Sequence, residues 1–161
     1  MSWKNKTVIY VDMDRTLCDF DGAYRHYQRE RPDVAFPQSI PGFYAGLQPL
    51  PHAVETYRWL HEQERFVVFI LTAPSIMNPH CYTEKRLWVE EHLGFDVVDR
   101  LIISAHKGLS RGHYLIDDNA EGRGQEYFEG ELIHFGQPSF PGWPEVRRFF
   151  ELLSAGAEMG A

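Results

Sequence analysis

The chain has 161 residues, 43% of them hydrophobic, and a formal net charge of −7. That length suits one domain burying about 70% of the surface its unfolded chain exposes, and the acidic balance argues against a general nucleic-acid binder, which needs a basic face for phosphates. Cys18 and Cys81 cannot build a disulfide framework, and no Cys/His spacing matches a zinc site.

The first residues hold no apolar stretch of signal-peptide length, and no run approaches a membrane span, so a cytoplasmic location is the default expectation. Thr7 to Val11, TVIYV, is a continuous run of β-branched and aromatic residues, the pattern of a strand buried on both faces of a parallel sheet. It ends in Asp12 and Asp14, with Thr16 close behind. Open parallel sheets receive ligands at strand carboxyl ends. Two acids so close repel each other, and a cation between them relieves the repulsion; Mg²⁺, which takes oxygen ligands from carboxylates, phosphates and water, is the natural candidate. Taken alone, D-x-D-x-T describes a solvated acidic turn equally well.

Residues 22–31 fit a short charged helix. Pro32, Pro37, Pro41, Gly42, Gly46, Pro49 and Pro51 then break any longer element. Phe36, Phe43 and Tyr44 sit in this broken stretch outside any periodic pattern. Two readings stay open: a small lid inserted after the first strand, or a surface loop whose aromatics plug the top of the core. Residues 51–63 read as a helix with Val54, Tyr57, Trp59 and Leu60 for packing. Arg65 to Leu71 is a second buried strand, stopping at Thr72 and followed by Ala73. Asn78-Pro79 is a helix start and Gly94 a stop, for a helix carrying Glu84, Lys85, Trp88, Val89 and Leu93. Arg100 to Ser104 is a third strand, followed directly by Lys107. Tyr114 to Ile116 is a fourth, ending in Asp117-Asp118-Asn119, and Glu131 to Phe135 a fifth, at the edge. A last helix runs from Pro144 to Leu153, and the small-residue tail from Ser154 is expected to fray.

Strands alternating with helices at these spacings indicate βαβ units with right-handed crossovers, hence one doubly wound parallel sheet. All strand carboxyl ends then share one edge, which brings Asp12, Asp14, Thr72, Lys107 and Asp118 together. Each is ordinary alone: a strand-end threonine is commonly a turn residue and a loop lysine a solvated charge. Their regular fall at strand ends is what raises their value. The set offers a nucleophile, a nearby acid, a hydroxyl, a cation and a metal-binding pair, the needs of phosphoryl transfer to a carboxylate. Lys107 would meet the phosphoryl oxygens directly, with Thr72 and the backbone N–H groups after it, whereas Lys85, on a helix, would act through other side chains.

D-M-D-x-T, a strand-end threonine, a loop lysine and a strand-end acid pair, in this order, resemble the haloacid dehalogenase superfamily of phosphatases. The likeness narrows to the 5′(3′)-deoxyribonucleotidases: VDMDRTLCDFDG is similar to their opening, PGFY to their cap return, EKRLWVEEHLG to their middle helix and HKGLSRGHYLIDDNAEGRGQE to their lysine-to-acid-pair segment. The resemblance implies a Rossmann-like three-layer α/β/α domain over residues 1–161, with a small cap at 20–50. It makes Asp12 the nucleophile and metal ligand, and Asp14 the acid/base that also binds Mg²⁺ through its carbonyl. Thr72, Ala73 (by its backbone donor) and Lys107 become phosphate ligands, Asp118 the remaining metal ligand, and Asp117 a supporting residue. Phe20 would line the substrate site, and Phe43 and Tyr44 are placed to reach a substrate above the acid edge. Arg15 stands where these nucleotidases usually carry glycine, Ala73 where a serine often assists, and Asn119 where a basic residue is common.

The activity implied is Mg²⁺-dependent hydrolysis of nucleoside monophosphates through an aspartyl-phosphate. Another small phosphate ester, or a non-catalytic Mg²⁺- or phosphate-binding regulator, are the alternatives. Neither nucleic acid nor membrane is an expected partner, and the oligomeric state, a homodimer included, stays open. A receiver domain would place a lone acid after its third strand, and a calcium loop needs D-x-D-x-D-G; neither matches.

Overall fold

Thr7–Val11 is a strand, β1, and its alternation decides how the two faces of the sheet are covered. Ile9 and Val11 point into one apolar cluster and Tyr10 into another. The structure, a computed structural model, describes residues 3–158. The other strands are β2 (Phe66–Thr72), β3 (Leu101–Ile103), β4 (Tyr114–Asp117) and β5 (Glu131–His134). They form one sheet in the order β3-β2-β1-β4-β5, every pair parallel. The chain steps outward from β1 to β3, then crosses back to β4 and β5. The order thus reverses between β1 and β4, where an open α/β sheet leaves a crevice at its carboxyl edge. The Asp12 amide donates to the Ile116 carbonyl at 2.9 Å, so the ladder runs up to the first acid.

The α-helices are α1 (Phe20–Glu30), α2 (Ala53–Glu62), α3 (Cys81–Leu93) and α4 (Trp143–Glu158). Tyr57 of α2, Trp88 of α3 and Phe150 of α4 join Ile9, Val11, Val68 and Ile70 in the main core. On the opposite face Tyr10, Leu71, Leu115 and Phe128 make a smaller cluster. No helix among the described residues is long and apolar enough to cross a membrane.

Two local expectations need correction. Asn78 does not cap α3: its side-chain oxygen accepts from the His80 amide at 2.9 Å while its NH₂ donates to the Gln38 carbonyl at 3.0 Å, and the helix starts at Cys81. Its side chain ties two loops together instead. The tail from Ser154 does not fray at once, because α4 continues to Glu158. Arg65 donates to the Ser154 carbonyl at 2.7 Å and the Ser154 hydroxyl to the Phe150 carbonyl at 2.8 Å, which hold that turn. Residues 159–161 lie outside the described residues.

For the segment 20–50 two readings stood open. Phe43 and Tyr44 are buried in the main core, and only Phe36 stays exposed, so the plug describes Phe43 and Tyr44 better than a lid. The segment's two ends are zipped: the Asp19 amide donates to Gln48 and the Leu50 amide to Leu17, both at 2.8 Å. Its far side is bolted to α3. The buried Glu84 carboxylate accepts from the Gly42 amide at 2.7 Å and the Tyr44 amide at 2.9 Å, and the Trp88 indole donates to the Leu47 carbonyl at 2.8 Å. Glu84→Gln would turn one of two acceptors into a donor facing an N–H. Urea unfolding is expected to show a loss of about 1–3 kcal/mol, and an unchanged midpoint would contradict this anchoring.

Candidate active site

Asp12 follows β1 without a break, and the chain then turns tightly. The Met13 carbonyl accepts from the amides of Thr16, Leu17 and Cys18 at 3.1, 2.8 and 2.9 Å, and the Trp143 indole donates to the Thr16 carbonyl at 2.7 Å. The turn is thereby fixed both to itself and to α4. Asp12 and Asp14 leave it toward two different lysines. Lys107, in the 3-10 turn after β3, donates to Asp12 Oδ1 at 2.7 Å and also to Asp117. Lys85, from α3, donates to Asp14 Oδ2 at 2.9 Å, to Thr72 Oγ1 at 2.6 Å and to the Ala73 carbonyl at 2.8 Å. Both lysines are buried. A buried ammonium is tolerable only when paired and hydrogen-bonded; Lys85 meets three oxygen acceptors and Lys107 two carboxylates.

The acids outnumber the nearby cation. Carboxylate oxygens of Asp12, Asp117 and Asp118 lie within 4.8 Å of one another, with Lys107 the ammonium among them. Burial pushes the Asp117 and Asp118 carboxyls up first, and the charge of Asp12 pushes them further. Burial works against the Lys107 ammonium as well, but Asp12 and Asp117 outweigh it and hold its pKa above the ordinary value. Asp117 is already engaged, by Lys107, by the Gln125 amide at 3.3 Å and by the Asn119 amide at 2.9 Å. Among the described residues the Asp118 carboxylate has, as its one hydrogen bond, a long 3.5 Å contact from the Thr16 hydroxyl. Oxygen donors with excess negative charge and raised pKa values fit a hard divalent cation. The Asp14 carbonyl accepts none of the backbone hydrogen bonds found among the described residues, and its buried Oδ1 has no partner.

These groups surround a cleft of about 220 Å³ lined by Asp12, Asp14, Phe20, Tyr44, Ala73 and Lys107, together with Arg15, Ser75, Asn119, Arg123 and Gln125. Thr72 is wholly buried beneath it. Its hydroxyl oxygen accepts from Lys85, which turns its own proton away from that lysine. The backbone donors expected after Thr72 shrink to Ala73, since Pro74 has no N–H and the Ser75 amide is spent on Cys81 Sγ at 3.3 Å. Phe43 does not reach the cleft: it lies behind, edge-on to Phe20 at 5.3 Å and to Tyr44 at 5.2 Å. Sequence reasoning underrated Lys85. The signal was there, because Cys81, Glu84, Lys85, Trp88 and Val89 follow helical spacing, and two charges inside a buried stripe need a partner.

The family model described as 5′ nucleotidase, deoxy (Pyrimidine), cytosolic type C protein matches residues 28–141. A candidate 5′(3′)-deoxyribonucleotidase of Vibrio phage KVP40 is 37% identical over 145 residues, covering 88% of this chain and 83% of its own. The human 5′(3′)-deoxyribonucleotidase of cytosolic type is 34% identical over 147 residues, covering 73% of each chain. Among solved structures, a candidate haloacid dehalogenase-like hydrolase from Burkholderia xenovorans LB400 is 14% identical, with a TM-score of 0.46, covering 84% of this chain and 87% of that one.

The raised acids set a pH dependence whose sign follows directly. In the unfolded chain aspartates titrate near 3.9, and in the folded one Asp117 reaches about 6 and Asp118 about 7. Folded protein therefore binds more protons in between, and metal-free stability falls as pH rises from about 4 to about 7. Asp118→Asn is expected to flatten that fall, read as the urea midpoint across the window, and Mg²⁺ to raise the melting temperature at pH 7 in the original chain but not in the variant. Parallel pH curves, or an equal Mg²⁺ effect in both, would contradict the acid cluster as the cation site.

Proposed function

The chain belongs to the cytosolic-type 5′(3′)-deoxyribonucleotidase family, and from that membership we propose that it hydrolyses (deoxy)nucleoside monophosphates with Mg²⁺ through an aspartyl-phosphate on Asp12. The observation that carries the reading is the separation of the two acids after β1 onto two buried lysines, Asp12 on Lys107 and Asp14 on Lys85. Asp12 Oδ1 is occupied by Lys107, and among the described residues Oδ2 has only the 3.4 Å contact from the Thr16 hydroxyl. Oδ2 is the oxygen free to attack phosphorus.

Asp12 Oδ2 forms the new P–O bond as the bond to the nucleoside oxygen breaks. Asp14 delivers the proton to that leaving oxygen. A water then attacks phosphorus and yields its proton to Asp14, which releases inorganic phosphate and restores the Asp12 carboxylate. Such acid/base work is worth about 10²–10⁴ in rate. Lys85 keeps Asp14 aimed throughout. Lys107, the Ala73 amide and the Thr72 proton directed away from Lys85 receive the phosphoryl oxygens. Mg²⁺, held by Asp12, Asp118 and the Asp14 carbonyl, would supply the positive charge that lets an anionic ester approach three carboxylates. In this reading residues 20–50 are the cap of a single domain spanning 1–161, and the enzyme works in the cytoplasm. The cleft's small volume favours one second reading, a smaller phosphate ester as substrate.

Hydrolysis across nucleoside monophosphates and small sugar phosphates tests this. Activity is expected on the nucleotides, dependent on Mg²⁺, abolished by chelator and absent from Asp12→Asn. That variant should keep the melting temperature within a few degrees, since the amide is nearly isosteric with the carboxylate but not nucleophilic. Near-original activity in Asp12→Asn would contradict the covalent route, and turnover confined to sugar phosphates would contradict the nucleotide substrate.

A further inference from the structure

Arg15 adopts φ = 63°, a left-handed conformation that favours glycine and that side chains adopt at a cost. Such strain persists only where the surrounding structure holds it, and it clusters at ligand sites. This side chain is placed with care. Its guanidinium carbon lies 4.4 Å from the centroid of the Phe20 ring, and its Nε donates to Asp21 Oδ1 at 2.7 Å. Nε alone is engaged among the described residues. The side chain is 45% exposed and lines the cleft beside Asp12 and Asp14.

Phe20, the aromatic expected to line the substrate site, is itself covered. Tyr24 stacks on it at 5.9 Å with planes 21° apart, Phe43 meets its edge and Arg15 lies over the ring. On that stack the guanidinium is the more exposed layer. The cleft's volume, about 220 Å³, falls below the roughly 300–1,000 Å³ of sites that enclose a drug-sized ligand. A nucleotide's phosphate and sugar would take up most of that volume, which would put its base near the half-exposed Arg15 side chain.

Resting on the nucleotidase reading above, we propose that Arg15 determines specificity: the nucleobase of a nucleoside monophosphate stacks on the guanidinium that Phe20 and Asp21 hold in place. A guanidinium is planar and weakly hydrated, and it stacks on any π face. The contact thus selects for a nucleotide over a small ester without choosing strongly among bases. Phe20 and Asp21 pre-orient the group, so little side-chain freedom is left to lose on binding.

The test compares kcat/KM for dUMP and dAMP with kcat/KM for acetyl phosphate, which has nothing to stack, in the presence of Mg²⁺. The quantity read is the ratio of nucleotide to acetyl phosphate. Arg15→Ala is expected to lower it by about one to two decades for both nucleotides, the range seen when a base-stacking side chain is removed. Arg15→Lys, which keeps the charge and loses the plane, should leave the ratio nearly as low. Arg15→Gly should also lower it while holding the melting temperature at or above that of the original chain, because glycine suits the left-handed φ. That opposition separates a substrate contact from a structural one. An unchanged ratio in Arg15→Ala would overturn the proposal, as would restoration of the ratio by lysine, which would make the group a plain charge. If the original chain turned over no nucleotide better than acetyl phosphate, the nucleotidase reading would fall and the stack with it. A preference that survives Arg15→Ala would remove the stack alone.

Discussion

Two buried ammonium groups organise the carboxyl edge of this sheet. Lys107 and Lys85 reach it from opposite directions, one from the turn after β3 and one from the middle of α3. Each binds one of the two acids that follow β1. Without them four aspartates would crowd one small volume, and burial would force most of them to protonate. With them Asp12 and Asp14 sit in different surroundings only two residues apart. One is bridged through its lysine to Asp117, the other to Thr72 and a strand-end carbonyl. Neighbouring carboxylates in unlike environments are how one site divides nucleophile from acid/base.

The rest of the fold keeps that edge in place. The Asp12 turn is held by the Trp143 indole from the last helix, so α4 reaches the site by one buried hydrogen bond. The segment 20–50 is secured to the same helix that supplies Lys85. Glu84, one residue before that lysine, takes two amides of the segment, and Trp88, one turn later, takes the Leu47 carbonyl. Movement of the segment against α3 would therefore disturb Asp14 through Lys85. A single helix couples the wall of the cleft to the acid within it.

The sheet was legible in the sequence because parallel strands buried on both faces leave continuous apolar runs, and Val67 to Leu71 or Thr7 to Val11 can hardly be anything else. The convergence of Asp12, Asp14, Thr72, Lys107 and Asp118 was legible for the same reason: strand ends in a parallel sheet share an edge, so order alone brings them together. What stayed hidden depended on contacts that local pattern does not carry. Lys85 reads as a helix residue acting through other side chains, and its direct bonds to Asp14 and Thr72 show only once α3 is docked. Glu84 meets Gly42 and Tyr44 across some forty residues of chain. Asn78 looks like a helix cap, but two loop carbonyls claim its amide. Phe43 sits among prolines and glycines, as substrate-facing aromatics often do, yet packs behind Phe20 in the core. For Arg15 the one sign of a left-handed backbone was its place where the resembling family usually carries glycine.

The central claim is that Asp12, and not its neighbour, takes the phosphoryl group. Borohydride reduces an acyl-phosphate to an alcohol, so protein quenched with it during turnover of a nucleoside monophosphate carries a mark at the residue that was phosphorylated. Peptide mass spectrometry should find the reduced side chain at Asp12, and only when substrate and Mg²⁺ are both present. Reduction at Asp14, or at any other carboxylate, would contradict the account.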